Sequence, residues 1–248
     1  MRLDELLVAR GFFASRSRAR DAIQRGTVRV GGKVAAKAGE GVSPDAEISA
    51  DDPARAYVSR AALKLNAALD AFDLAPANAY ALDLGASTGG FTQVLLERGA
   101  RHVTAIDVGH GQLHERIAAD PRVTSIEGLN VRELRESDLG GVAPDFLTAD
   151  LSFILSFISL RLALPPALRL AAPGARGVFL VKPQFEAGRE AIGKGGILRD
   201  PAEGERIARE LRHWLDSQPG WRPIGLVPSP IEGGDGNREY LLAGIRDR

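Results

Sequence analysis

One stretch constrains the fold more than any other. The apolar run Ala79-Tyr80-Ala81-Leu82-Asp83-Leu84 breaks into Gly85-Ala86-Ser87-Thr88-Gly89-Gly90, and a helical pattern starts at once with Phe91. A buried strand that runs through a small-residue turn straight into a helix opens a parallel β–α unit. The pattern then repeats. Phe91 to Arg98 reads as a helix and Val103 to Asp107 as a strand. Val123 to Ile126, Asp145 to Asp150 and Gly177 to Val181 read as further strands, with helical stretches over Ile154 to Leu170 and Ala202 to Leu215. Strands that alternate with helices predict an α/β domain: a mostly parallel sheet covered by helices on both faces.

The turn at Gly85 also suggests a ligand. Small residues let a bound molecule come against the backbone. About 20 residues beyond it, at the end of the next strand, Asp107 stands where a carboxylate can take a ribose diol. Three readings are open. A dinucleotide site wants G-x-G-x-x-G, so that a pyrophosphate can sit on the helix N-terminus; here Ser87 fills the third position, and Asp83 lies just before the turn. A negative group there is awkward for a pyrophosphate and suits the cationic, amino-bearing end of S-adenosylmethionine. The third reading is a tight turn with no ligand.

Residues 1–50 read differently. Leu3, Leu6 and Leu7 recur at helical spacing and Gly11 stops the pattern. Ser15 is a suitable N-cap for a helix over Arg16 to Arg25, with Ala19, Ala22 and Ile23 on its apolar face and Gly26 after it. Thr27 to Val30 reads as a strand and Gly31-Gly32 as a hairpin turn. Formal net charge of the whole chain is zero, yet residues 1–37 carry nine arginines and lysines against Asp4, Glu5 and Asp21. A positive module of this kind is either a solvated surface or a nucleic-acid-binding face. Asp51-Asp52-Pro53 marks a seam, so 1–50 is expected as one domain, 51–59 as a linker and 60–248 as a second domain.

Absent chemistry narrows the function. There are no cysteines, which removes disulfides, thiolate metal sites and any cysteine nucleophile; no metal site is expected. The start of the chain lacks the apolar core of a signal peptide. The longest apolar stretch, Leu151 to Leu160, is too short to span a bilayer. A cytoplasmic protein with no membrane role and no obligate protein partner is the expectation. Methylation of pyrimidine carbon 5 normally begins with addition of a cysteine, and methylation of exocyclic amines normally uses an Asn/Asp-Pro-Pro-aromatic motif. Here that position reads Ala149-Asp150-Leu151-Ser152-Phe153. A hydroxyl acceptor fits better, and a hydroxyl needs a base during attack. Arginine cannot serve, because it does not lose its proton in a protein. Lysine can when burial and a neighbouring cation lower its pKa. Of only five lysines, Lys182 ends the apolar strand Val178 to Val181, on the side of such sheets where ligands bind.

The N-terminal pattern Ser15-Arg16-Ser17-Arg18-Ala19, Ala22-Ile23, Gly26, Val28-Arg29-Val30 and Gly32-Lys33 resembles an S4 domain, a small α+β RNA-binding module. The stretch Leu82 to Phe91 resembles motif I of the class I (Rossmann-like) methyltransferases. Ser59-Arg60-Ala61-Ala62-Leu63-Lys64-Leu65, Ala149 to Phe153, Lys182-Pro183-Gln184-Phe185-Glu186 and Gly236-Asn237-Arg238-Glu239-Tyr240 extend the likeness. In order and over essentially the whole chain they resemble the TlyA-type (hemolysin A) rRNA methyltransferases, relatives of the FtsJ/RrmJ ribose methyltransferases. The resemblance implies a seven-stranded sheet, S-adenosylmethionine as cofactor and rRNA in ribosomal subunits as partner. It implies a Lys64-Asp150-Lys182-Glu239 tetrad acting on a ribose 2′-hydroxyl, with Lys182 as base. It assigns Asp83, Gly85, Ser87, Gly89, Gly90, Asp107, Asn130 and Asp150 to the cofactor. Arg2, Arg16, Arg18, Arg20, Lys33 and Arg60 are expected at the RNA, as are Arg189 and Lys194 of the loop that follows Lys182, which is expected to close over the target nucleotide. For a chain that stops at Arg248 it implies a cytidine of 23S rather than 16S rRNA. The competing classes are a non-catalytic RNA-binding assembly factor and a membrane-active hemolysin-like protein. Gly188 to Arg199, with four glycines and three cations, is expected to be irregular, and disordered or open until RNA binds.

Overall fold

The computed structural model describes residues 1–151, 159–234 and 236–247, and the chain separates into two compact units, Met1–Tyr57 and Val58–Arg248.

The first unit holds helices α1 (Leu3–Ala9) and α2 (Arg16–Gln24), followed by strands β1 (Val28–Val30), β2 (Lys33–Val34) and β3 (Ile48–Ala50). The Ser15 hydroxyl accepts the Arg18 amide, so the N-cap read from sequence is in place. The small sheet is antiparallel in the order β2-β1-β3. Leu3, Leu7, Phe13, Ala19, Ala22, Ile23 and Val28 form the unit's own core. The seam lies later than the sequence suggested. Asp52 accepts the Ala54 amide to start a 3-10 turn over Pro53–Ala56, Ala54 is buried, and Asp52 pairs with Arg25 at 2.9 Å. Residues 51–57 therefore belong to the first unit, because an acid read as a breaker is in fact a cap and an ion-pair partner.

The second unit begins with α3 (Ala62–Ala71) and then alternates: β4 (Tyr80–Leu84), α4 (Gly90–Glu97), β5 (His102–Asp107), α5 (Glu115–Ala118), β6 (Val123–Glu127) and β7 (Phe146–Ala149). Helices α6 (Leu160–Ala163) and α7 (Pro165–Leu170), strand β8 (Arg176–Val181), helices α8 (Pro183–Glu186) and α9 (Pro201–Asp216), and strands β9 (Trp221–Pro228) and β10 (Tyr240–Arg246) complete it. Of the helical stretch expected over 154–170, residues 154–158 lie outside the described residues, as do Ser152 and Phe153. The remainder is broken at Pro165, which opens α7 instead of continuing α6, since proline suits a first helical position but not an interior one.

The seven strands lie in the order β6-β5-β4-β7-β8-β10-β9, with β10 antiparallel to both neighbours and the other pairs parallel. This is the mostly parallel seven-stranded sheet anticipated. From β4 the chain steps outward to β5 and β6, then returns to β7 and continues the other way to β8. The crevice beyond the carboxyl ends of β4 and β7 is thus the switch point, where open α/β sheets bind ligands. Phe146, Leu147, Phe179, Leu82 and Leu84 are fully buried in the strands that flank it, which fixes the backbone from which the site projects.

Candidate active site at the carboxyl edge of the sheet

Asp150 follows β7, Lys182 follows β8 and Glu239 precedes the antiparallel β10. These three strands are neighbours, and Tyr240 is registered against Val181 while Ala149 is registered against Phe179. Adjacent strands lie about 4.8 Å apart, so topology alone brings the three side chains to one edge. Lys64 enters from α3. Its Nζ lies 2.5 Å from Glu239 Oε2, and Lys182 Nζ lies 2.7 Å from Asp150 Oδ1. Lys64, Lys182 and Glu239 are buried. Buried ions of this kind persist only in pairs, and here two cations face two carboxylates. Burial pushes the Asp150 carboxyl up, but the charges of Lys182, Lys64 and Arg60 outweigh it and hold the group below its ordinary value. The tetrad expected from sequence is therefore assembled in space as two ion pairs.

The turn after β4 occupies the switch point. Gly85 has φ +79°, and a Cβ there would stand 2.7 Å from the Asp150 carbonyl oxygen. Only glycine fits, both for the left-handed backbone and for the close approach. Asp107, at the end of β5, accepts the Ser87 amide and the Gly109 amide, each at 2.8 Å. A carboxylate has about four acceptor positions, so Asp107 can brace both loops and still accept a diol. Gly89 and Gly90 open α4, and Asn130 caps the 3-10 turn over Val131–Glu133 through the Arg132 amide.

Asp83 differs from its sequence reading. It is wholly enclosed, and its oxygens accept the Thr92 hydroxyl at 2.6 Å and the Thr148 hydroxyl at 2.8 Å. Burial pushes its carboxyl up to about 6. Asp83 braces the turn from beneath and offers no open contact to a ligand. Neither threonine was singled out from sequence; their spacing from Asp83 carries no signal until the sheet is assembled.

The Gly188 to Arg199 segment is irregular, as expected, with neither an α-helix nor a named strand in it. It is folded: 3-10 turns cover Arg189–Ala191 and Lys194–Gly196, and Ile192 bridges to Leu198. Buried Asn237 ties it down. Its Nδ2 donates to the Gly196 carbonyl at 2.9 Å, and its Oδ1 accepts the Leu198 amide at 3.1 Å. The tether comes from a residue about 40 positions away. Lys194 is exposed, and the side chain of Arg189 lies outside the described residues.

The remaining cations divide by role. Arg2, Arg16 and Arg20 converge on the buried Asp4 carboxylate. Arg18 instead donates to the Ala54 and Tyr57 carbonyls, at 2.9 and 2.6 Å, which fastens α2 to the end of its own unit. Lys33 is exposed on β2, and Arg60 is half-buried near Asp150. A cavity of about 470 Å³ opens beside Glu239, lined among others by Leu226, Ser229, Glu232, Arg238 and Tyr240. Among the described residues there is no cluster able to hold a metal, and no helix is long and apolar enough to cross a membrane.

Comparison with known proteins fits this geometry. A family model described as FtsJ-like methyltransferase matches residues 57–246, and one described as S4 domain matches residues 1–48. The 16S/23S rRNA (cytidine-2'-O)-methyltransferase TlyA of Mycobacterium tuberculosis is 44% identical over 246 residues, covering 97% of this chain and 88% of that protein. Hemolysin A of Brachyspira hyodysenteriae is 40% identical, over 97% of this chain and 98% of its own length. The solved structure of a putative hemolysin from Streptococcus thermophilus superposes with a TM-score of 0.75 at 38% identity, covering 100% of this chain and 88% of that one.

Proposed function

Since the chain belongs to the FtsJ-like methyltransferase family and carries an S4 domain, we propose that it methylates a ribose 2′-hydroxyl of ribosomal RNA. The target is a cytidine of the large-subunit RNA. The name of the mycobacterial relative supports the ribose and the cytidine. A relative from Campylobacter jejuni, named for 23S rRNA alone, supports the large subunit. The observation that carries the chemistry is the pairing of Lys182 with Asp150 and of Lys64 with Glu239 at the carboxyl edge of adjacent strands.

S-adenosylmethionine supplies a methyl group activated by its positive sulfonium. Asp107 would take its ribose diol, the Gly85 to Gly90 turn its amino-acid end and Asn130 its adenine. Lys182, once it has released its own proton to solvent, accepts the proton of the 2′-hydroxyl as that oxygen attacks the methyl carbon and the sulfur leaves as a neutral thioether. Asp150, at 2.7 Å, stabilises the ammonium so formed. Lys64, fixed by Glu239, adds positive charge beside the developing alkoxide. The side chains sit directly at the ends of three strands and on a helix, so positioning supplies much of the acceleration. The positive first unit supplies affinity through phosphate contacts, and Arg60, Arg189 and Lys194 add cations from the second unit.

The test is transfer of a labelled methyl group from the donor to isolated large and small ribosomal subunits, followed by mapping of the modified atom. Label on a ribose 2′-oxygen of large-subunit RNA is the expected result. Label on a base, or none on RNA, would overturn the reading. Label on both subunits would leave the chemistry and correct the choice of substrate.

A further inference from the structure

Asp4 is an unusual residue to find in a positive module. It lies in the first turn of α1, is wholly buried, and has its backbone amide bonded to the Ala38 carbonyl at 3.0 Å. Three arginines surround it. Arg2 donates through Nε at 3.1 Å and Nη2 at 3.3 Å. Arg16 donates through Nη2 at 3.1 Å and Nε at 3.3 Å, and Arg20 through Nε at 2.9 Å. Arg16 also pairs with Glu5 at 3.1 Å. Hydrogen bonds from Arg2, Arg20 and Arg16 hold the Asp4 carboxyl well below the usual carboxylate range, against the effect of burial.

The arrangement is lopsided. The carboxylate is enclosed, but the three arginine side chains remain 45 to 50% exposed. A guanidinium has five N–H donors in a flat fork, and Asp4 occupies only part of each. Two of these arginines, one turn apart on α2, and a third from the start of the chain would repel one another and spread into solvent if nothing held them. Asp4 gathers them while leaving each side chain about half exposed. Gly39 makes room for this: a Cβ there would stand 2.9 Å from Arg2 Nη1.

We propose that Asp4 is a positioning residue that assembles Arg2, Arg16 and Arg20 into one phosphate-binding fork, which grips neighbouring phosphates of an RNA backbone. The inference rests on the proposed action on ribosomal RNA. Arginine suits this task because its planar fork matches phosphate oxygens two at a time. A preorganised set loses less side-chain freedom on binding than three free arginines do. Asp4 itself touches no RNA.

The charge of the cluster makes the test sharp. Asp4→Asn makes the module more positive. If only total charge mattered, RNA would bind more tightly and with a steeper salt dependence. If positioning matters, RNA binds more weakly. The experiment compares wild type, Asp4→Asn, the triple Arg2→Ala/Arg16→Ala/Arg20→Ala variant, and the triple combined with Asp4→Asn. Equilibrium binding to large ribosomal subunits is measured at several salt concentrations, alongside KM and kcat for methyl transfer and donor affinity. The expected result for Asp4→Asn is a loss of about tenfold in RNA affinity, seen as a raised KM with little change in kcat. Asp4→Asn should cause no further loss once the three arginines are gone. Wild-type or tighter binding by Asp4→Asn overturns the proposal, as does an equal loss in the triple background, which would mark a role in folding alone. Should Asp4→Asn fail to fold, Gly39→Ala decides. It leaves Asp4 and the core intact and displaces only the Arg2 guanidinium, so a few-fold loss of affinity supports the fork and wild-type affinity removes it. Failure of the wild type itself to bind or methylate RNA counts against the reading of function instead.

Discussion

Asp83 shows how far a single residue can depart from its pattern. Its position before the turn was legible; its enclosure by Thr92 and Thr148 was not, since both partners come from other elements. With its carboxyl raised to about 6 and an unfolded value of about 3.9, the folded state binds the extra proton between these values. Stability should therefore fall as pH rises from about 4 to about 6, by up to roughly 3 kcal/mol. Asp83→Asn removes this term; its oxygen keeps one threonine as donor, and the other hydroxyl reverses to accept from the amide nitrogen. Thermal melts of the ligand-free protein should show the variant gaining stability over wild type at pH 8 relative to pH 4.5. Parallel curves for the two proteins would mean that Asp83 does not titrate in this range. Lys182 stands where the sequence implied, at a strand end that the apolar run before it announces. Lys182→Ala should lower kcat by about 100-fold or more with donor affinity nearly unchanged. Lys182→Arg keeps a cation but cannot take a proton, so turnover like wild type in that variant would reduce the lysine to a substrate-holding role.

Among the elements, those flanked by strong punctuation were the most legible. Strands β4 and β5 and helix α4 fall within a residue or two of their expected bounds, since each is short, apolar and bounded by glycine or charge. β3 gave no signal: Ile48–Ala50 is three residues of mixed polarity, and pairing with β1 makes it a strand. The tie on the Gly188 to Arg199 segment was hidden for a related reason, because it comes from Asn237. Asn237→Ala should leave the buried Leu198 amide without its partner, at about 1–3 kcal/mol, while the carbonyl of exposed Gly196 can turn to water. Hydrogen exchange at the Leu198 amide should accelerate at least tenfold, while amides of β4 and β8 keep their protection. Unchanged exchange at Leu198 would mean that the 3-10 turns hold the segment without the tether.

At the scale of the whole chain, two domains were visible in the shift from an arginine-rich segment to alternating strands and helices. The boundary was not, because Asp52 and Pro53 read as a break and serve as a cap. Each unit has its own hydrophobic cluster, one around Leu7 and Ile23 and one around Leu147 and Phe179. A unit of under 60 residues buries a smaller share of its surface than one three times larger, and is correspondingly less stable. Every residue assigned to the methyl donor belongs to the second unit. Calorimetry should therefore resolve two transitions, with the smaller unit melting first. A ligand that binds only the folded second unit stabilises it by about 2.7 kcal/mol at 100 times its dissociation constant. For a domain of this size that raises its midpoint by roughly 5–10 °C. S-adenosylmethionine should shift the larger transition by that amount and leave the smaller one in place, whereas a fragment of ribosomal RNA that engages the S4 domain should raise the smaller. A single transition that moves as a whole with the donor would show instead that the two cores unfold as one.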